Sequence, residues 1–134
     1  MIMIIIRNMI KLTSHRKTIL EFINASNAHW DAEELARALA DAGSAVGIAT
    51  VYRALAALSE AGLINRIEFG GRKRYERADK RHHDHLLCTH CGSIEEFVEP
   101  QIESLQQKVA SSRSFAMSGH QLMIFGRCKQ CADV

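Results

Sequence analysis

Four cysteines fall into two pairs, Cys88-x-x-Cys91 and Cys128-x-x-Cys131, with none left over. Two residues between thiols let one tight turn close both sulfurs on one ion. Four thiolates then make the closed tetrahedral set that zinc favours, with Zn–S of about 2.3 Å. An iron–sulfur or rubredoxin-like iron centre would draw on the same donors. Disulfides are the rival pairing, and the reducing setting expected below argues against them. A structural zinc here would pin the end of the chain to the start of its second half.

Just ahead of the first pair, residues 82–85 read His-His-Asp-His. In an extended chain, successive side chains point to opposite sides, so His83 and His85 share one side while His82 and Asp84 share the other. One stretch can therefore serve two metal sites. Nitrogen and carboxylate donors without thiolate suit a five- or six-coordinate Fe²⁺, Mn²⁺ or Zn²⁺, held more loosely than a Cys₄ zinc. Loose, reversible binding is what a sensor needs. His90 reads as a solvated loop residue and His15 as a surface or DNA-facing one.

Elements that could position these donors are legible on both sides of the run. In TSHRKTILEFINA (residues 13–25), Thr13 is a capping residue, and Ile19, Leu20 and Ile23 share a helical face. Asp31 and Glu34 form a D-x-x-E start for a second helix that carries Leu35 and Leu39 and stops at Gly43. In a third, Ile48, Val51, Leu55 and Leu58 form the expected buried stripe, with Ala49, Tyr52, Arg53 and Ala56 on the other side and Gly62 as its end. LINRIEF, GGR and KRYER then read as strand, turn and strand. Three helices and a basic hairpin make a winged helix-turn-helix. The small, polar outer face of the third helix fits a major groove about 12 Å wide. Arg53 is free there for a base or phosphate, and Arg72, Lys73, Arg74 and Arg77 on the hairpin suit phosphate.

After the histidine run, SIEEFVE predicts a strand, Pro100 starts a helix to about Ala110 with Ile102, Leu105 and Val109 as its stripe, and FAMSGHQLMIFG supplies strands apolar on both faces. Such strands need covering twice, by the helix and by a partner subunit. The expected fold class is α+β: a winged-helix DNA-binding domain over residues 1–79, then a small α/β metal-binding dimerisation domain over residues 80–134.

Charge agrees with that division. Residues 1–81 hold 13 Lys and Arg against 9 Asp and Glu, whereas residues 82–134 hold 4 against 6, so a polyanion belongs on the first half. At 47% hydrophobic and 24% charged, the composition is that of a globular chain and excludes a disordered or coiled-coil one. The opening MIMIIIRNMI is far short of the ~20 residues that span a bilayer and has no leader pattern, so a cytoplasmic protein with no membrane partner is expected. That segment is either an element that packs or swaps at an interface or a stretch ahead of a true start at Met9.

GIATVYRALAALSEAGLI (residues 47–64), RHHDHLLCTHCGSIEEF (residues 81–97) and GHQLMIFGRCKQC (residues 119–131), together with LTSHR (residues 12–16), carry a resemblance covering nearly the whole chain. The sequence resembles the ferric uptake regulator family of bacterial metal-responsive repressors. The resemblance implies a homodimer that binds AT-rich inverted repeats in double-stranded DNA when metal is present. It implies a regulatory site of His29, Glu76, His83, His85 and Glu96, and an auxiliary one of His82, Asp84, Glu103 and His120. It places Tyr52 and Arg53 at DNA-reading positions, with Thr50 orienting the helix and Arg16 among the DNA-binding residues. Peroxide-sensing members carry aspartate where Glu76 and Glu96 stand, and zinc-sensing members usually carry cysteine at the Glu76 position. Both differences favour Fe²⁺ as the cellular regulatory metal, replaceable by Mn²⁺ or Zn²⁺. The opening segment departs from the family, whose first helix is polar and basic.

The alternatives within the family are a zinc-uptake or peroxide-responsive regulator. The alternative from another class is a metal-dependent hydrolase using the His-His-Asp-His run, which would need an open coordination position and a general base. No histidine here precedes x-Glu and no cysteine pair follows a proline, so the zinc deaminase pattern is absent. The expected protein is not an enzyme.

Overall fold

The structure is a computed structural model that describes residues 10–132; the first nine residues of MIMIIIRNMI, and the expectation placed on them, lie outside the described residues. Contacts divide the chain into two compact units, Met1–Asp79 and Lys80–Val134. The fold is α+β, with four helices and two small sheets among the described residues.

In the first unit, helix α1 (Ser14–Asn24) begins where the Thr13 hydroxyl accepts from the Arg16 N–H. Helix α2 (Ala32–Asp41) begins on a full capping box: the Asp31 side chain takes the Glu34 N–H at 2.7 Å and the Glu34 side chain takes the Asp31 N–H. Helix α3 (Ile48–Glu60) packs against both. Ile19, Ile23, Leu35, Leu39, Val51, Leu55 and Leu58 are fully buried where the three meet. The expected stripe on α3 is wrong at one end. Ile48 is exposed because the first turn of α3 stands largely in solvent, and Ala54 takes the buried place instead.

Strands β1 (Ile64–Phe69) and β2 (Arg72–Arg77) form an antiparallel hairpin whose turn residues, Gly70 and Gly71, both have positive φ. A single bridge ties this wing to the entrance of α2. Trp30 and Tyr75 exchange two backbone hydrogen bonds of 2.8 Å each. In an antiparallel pairing that register sets residue 29 opposite residue 76 and residue 31 opposite residue 74.

The second unit is built on strand β3 (Asp84–Cys88), flanked by β4 (Ile94–Phe97) antiparallel to it and β5 (Met123–Gly126) parallel to it. Helix α4 (Pro100–Ser112) starts at proline, whose missing N–H costs nothing in a first turn. Two expectations change here. Only residues 123–126 of FAMSGHQLMIFG form a strand, since β3 offers a ladder of only four residues to pair with. The Ile102/Leu105/Val109 stripe does not complete the cover: Leu105 (59%) and Val109 (54%) stay exposed, as do Leu86, Ile124 and Phe125 on the sheet.

Truncating the fully buried Leu55 to Ala should cost about 2–5 kcal/mol in urea unfolding, whereas Ile48→Ala should stay within about 0.5 kcal/mol. Comparable losses for both would return Ile48 to the core.

Candidate metal centres and basic face

The register of the β3–β5 ladder pairs Cys88 with Gly126, so the cysteine pair at residues 128 and 131 arrives beside the turn that follows β3. The Cys91 and Cys128 sulfurs lie 3.7 Å apart. Thiolates held tetrahedrally at about 2.3 Å from one ion stand about 3.8 Å apart, so the donors fit zinc. The Cys91 and Cys128 N–H groups both donate to the Cys88 sulfur at 3.4 Å, which pulls its thiol down to about 5. The Cys128 thiol beside it, together with loss of solvent, pushes Cys131 up to about 12. Thiols this close cannot all ionise unless a cation stands among them.

The same parallel ladder, continued three residues back from the His85–Met123 pair, sets His82 beside His120. Their Nε2 atoms are 3.0 Å apart, and Glu103 from α4 comes within 3.1 Å of His82 and 3.5 Å of His120. Asp84, 1% exposed, completes the cluster, with its Oδ1 3.3 Å from His120 and 3.5 Å from His82. Neither oxygen of Asp84 accepts a hydrogen bond. Donors at about 2.1 Å from a common ion stand about 3.0–3.4 Å from their neighbours, so this set also fits a divalent metal. A buried carboxylate without hydrogen bonds is costly unless a cation compensates it.

On the other side of β3, His83 and His85 lie with ring centroids 4.6 Å apart. Glu96 sits directly opposite His85 across the β3–β4 ladder, and its Oε2 is 3.7 Å from His83 Nε2. His83 Nδ1 donates to the Arg81 carbonyl at 2.8 Å, which fixes the ring with Nε2 toward Glu96. Sequence reasoning missed Lys80, whose ammonium is ion-paired with that same Glu96 Oε2. Its place next to the histidine run was the available signal.

Within the first unit, the Trp30–Tyr75 bridge sets His29 beside Glu76. His29 Nε2 and Glu76 Oε2 are 2.8 Å apart, and Glu76 is only 2% exposed. The same bridge sets Arg74 beside Asp31. Its guanidinium bonds Asp31 at 2.8 Å and Glu34 at 3.1 Å, so the charge expected to meet phosphate clamps the wing to the α2 cap. Burial works against ionisation of Asp31, but the Glu34 N–H and Arg74 outweigh it and hold its carboxyl below the usual value.

Arg72 and Lys73 are exposed on the wing, and Arg77 pairs with Asp79 at 2.6 Å. On α3, Tyr52 and Arg53 are exposed, and the Arg53 guanidinium donates to the Thr50 hydroxyl at 3.3 Å. Thr50 thus orients Arg53. The Tyr52 hydroxyl donates to Glu33 at 3.0 Å, and that carboxylate pushes the phenol up; Glu33 was not singled out in the sequence. The Arg16 side chain donates to the Lys11 carbonyl at 2.9 Å.

Residues 7–125 match the ferric uptake regulator family. The chain belongs to that family. It is 43% identical over 124 residues to the ferric uptake regulation protein of Legionella pneumophila, covering 91% of each. Among solved structures, it is similar to the Vibrio cholerae ferric uptake regulator, described with DNA-binding domains, at 36% identity and TM-score 0.81 over 92% of this chain and 96% of that one. It is also similar to the Helicobacter pylori ferric uptake regulator, described as having three functional metal-binding sites, at 33% identity and TM-score 0.81 over 88% and 82%. The protein is therefore a metal-responsive transcriptional regulator.

In chelator, Asp84→Asn should raise the thermal midpoint by removing a buried charge that no hydrogen bond offsets. With Mn²⁺ added, the same variant should gain less stability than wild type. A lowered midpoint in chelator would mean the carboxylate serves the fold without metal.

Proposed function

We propose that this regulator is an iron-responsive repressor. Its residues 1–79 read AT-rich inverted-repeat operators as a winged helix, and its residues 80–134 form a homodimer and carry the metals, in the cytoplasm. The observation that carries the metal reading is that the buried charged residues among those described are Glu76 and Asp84, each beside a histidine. Chains rarely bury carboxylates unless a cation or hydrogen bonds compensate them.

In this reading Cys88, Cys91, Cys128 and Cys131 hold a structural zinc. His82, Asp84, Glu103 and His120 hold an auxiliary divalent ion. His29 and Glu76 from the first unit, with His83, His85 and Glu96 from the second, form the regulatory site for Fe²⁺, with Mn²⁺ or Zn²⁺ as substitutes. A divalent ion there supplies the charge on which nitrogen and carboxylate donors converge. His83 is held in the ligating tautomer by the Arg81 carbonyl. Ligands drawn from both units would fix one orientation of the DNA-reading helices, matched to successive major grooves. Turning a 1:99 population into 99:1 takes about 5.5 kcal/mol of preferential binding. Glutamate at 76 and 96, rather than the aspartate or cysteine of its peroxide- and zinc-sensing relatives, supports iron.

On the DNA side, Arg53, oriented by Thr50, and Tyr52 would contact bases; Arg72, Lys73 and Arg16 would meet phosphate. Arg74 would act through the α2 cap rather than on phosphate. The exposed Leu105, Val109, Ile124 and Phe125 support a dimer, since a lone unit would leave that apolar surface wet. The family match supports a regulator rather than a hydrolase.

In fluorescence anisotropy on an inverted-repeat duplex, His83→Ala should lose most of the metal-activated binding while remaining folded. Arg53→Ala should weaken binding about tenfold or more even at saturating Mn²⁺, the scale of one lost base contact. A wild-type metal response in His83→Ala would remove the proposed site. Cys131→Ser should purify without tightly bound zinc and lose its dimer; a stable zinc-free dimer would contradict the structural assignment.

A further inference from the structure

The Lys80 side chain is only 8% exposed, and its ammonium is ion-paired with Glu96 Oε2. That oxygen is the one facing His83 Nε2 at 3.7 Å, and Glu96 is the cross-strand neighbour of His85. A lysine whose side chain is this well covered needs a partner, and this one is paired with a carboxylate that belongs to the proposed ligand set. One oxygen cannot serve an ammonium and a divalent ion equally well, since the two cations repel at contact range. We propose that Lys80 is a built-in competitor for the regulatory metal: it holds Glu96 in place while the site awaits metal, and sets the concentration at which the site fills.

This inference rests on the regulatory-site reading above. The lysine keeps Glu96 compensated in the metal-free protein and so limits the repulsion between carboxylates gathered for one ion. When metal binds, the ammonium must withdraw from Oε2 or stand beside a second positive charge. Either way affinity is lowered. Such a device keeps a sensor from filling at trace metal while holding Glu96 beside His83.

The test uses the full chain with its cysteine zinc retained and no DNA, titrating Mn²⁺ against a competing fluorescent chelator at fixed salt. Wild type, Lys80→Met, Lys80→Arg and His83→Ala are compared. Lys80→Met should bind Mn²⁺ at the His83-dependent site about tenfold more tightly, the effect of removing one nearby like charge. It should also melt lower than wild type in chelator and gain more on adding Mn²⁺. Lys80→Arg, which keeps the charge, should stay near wild type. Lys80→Gln makes the same charge change should the methionine variant be insoluble. Unchanged or weaker Mn²⁺ binding in the neutral variants would overturn the inference and leave an ordinary ion pair. Wild-type binding that His83→Ala does not alter would instead overturn the site reading, and this inference with it.

Discussion

The metal chemistry of this chain depends on the alternation of side chains along one short strand and the two residues that lead into it. Around β3, His83 and His85 face Glu96 while His82 and Asp84 face His120 and Glu103, and the strand ends on Cys88 at the thiol cluster. A strand with period 2 can serve two faces and its own end without crossing its donors. A slip of one residue would exchange the two sets, so register here is a chemical requirement. The antiparallel β4 ladder delivers Glu96 to one face, and the parallel β5 ladder delivers His120 to the other and Cys128 to the end.

The first unit obeys a similar rule at smaller scale. One isolated bridge, Trp30 to Tyr75, decides both His29 beside Glu76 and Asp31 beside Arg74. The His29–Glu76 pair and the clamp on the α2 cap flank that one bridge on either side. The wing that carries Arg72 and Lys73 is therefore tied to the residues that could sense metal.

The three helices, the hairpin and the two cysteine pairs were legible because local periodicity and spacing specify them. Glu96 and Glu103 had no local mark; their relevance comes from ladder register and from a helix that reaches back, and family resemblance was needed to name them. Ile48 misled because a helical period cannot say where neighbouring helices stop. Residues 115–122 misled because apolar pattern cannot supply a strand partner. Arg74 reads as a phosphate contact in the sequence and Lys80 carries no mark there, and only tertiary pairing shows them bound to carboxylates. Basic residues near a functional site are hard to read in this way, since a free cation and a paired one look alike in sequence.

In the proposed mechanism, metal held by the histidine and carboxylate side chains controls DNA binding while the cysteine zinc remains in place. The most direct measurement is anisotropy of an AT-rich inverted-repeat duplex with wild-type protein at fixed salt, with chelator-buffered Fe²⁺ or Mn²⁺ raised at zinc levels too low to act. Binding should appear as Fe²⁺ or Mn²⁺ rises and vanish when the buffer is reversed. Binding of equal strength at every metal level, or activation by Zn²⁺ alone, would contradict it.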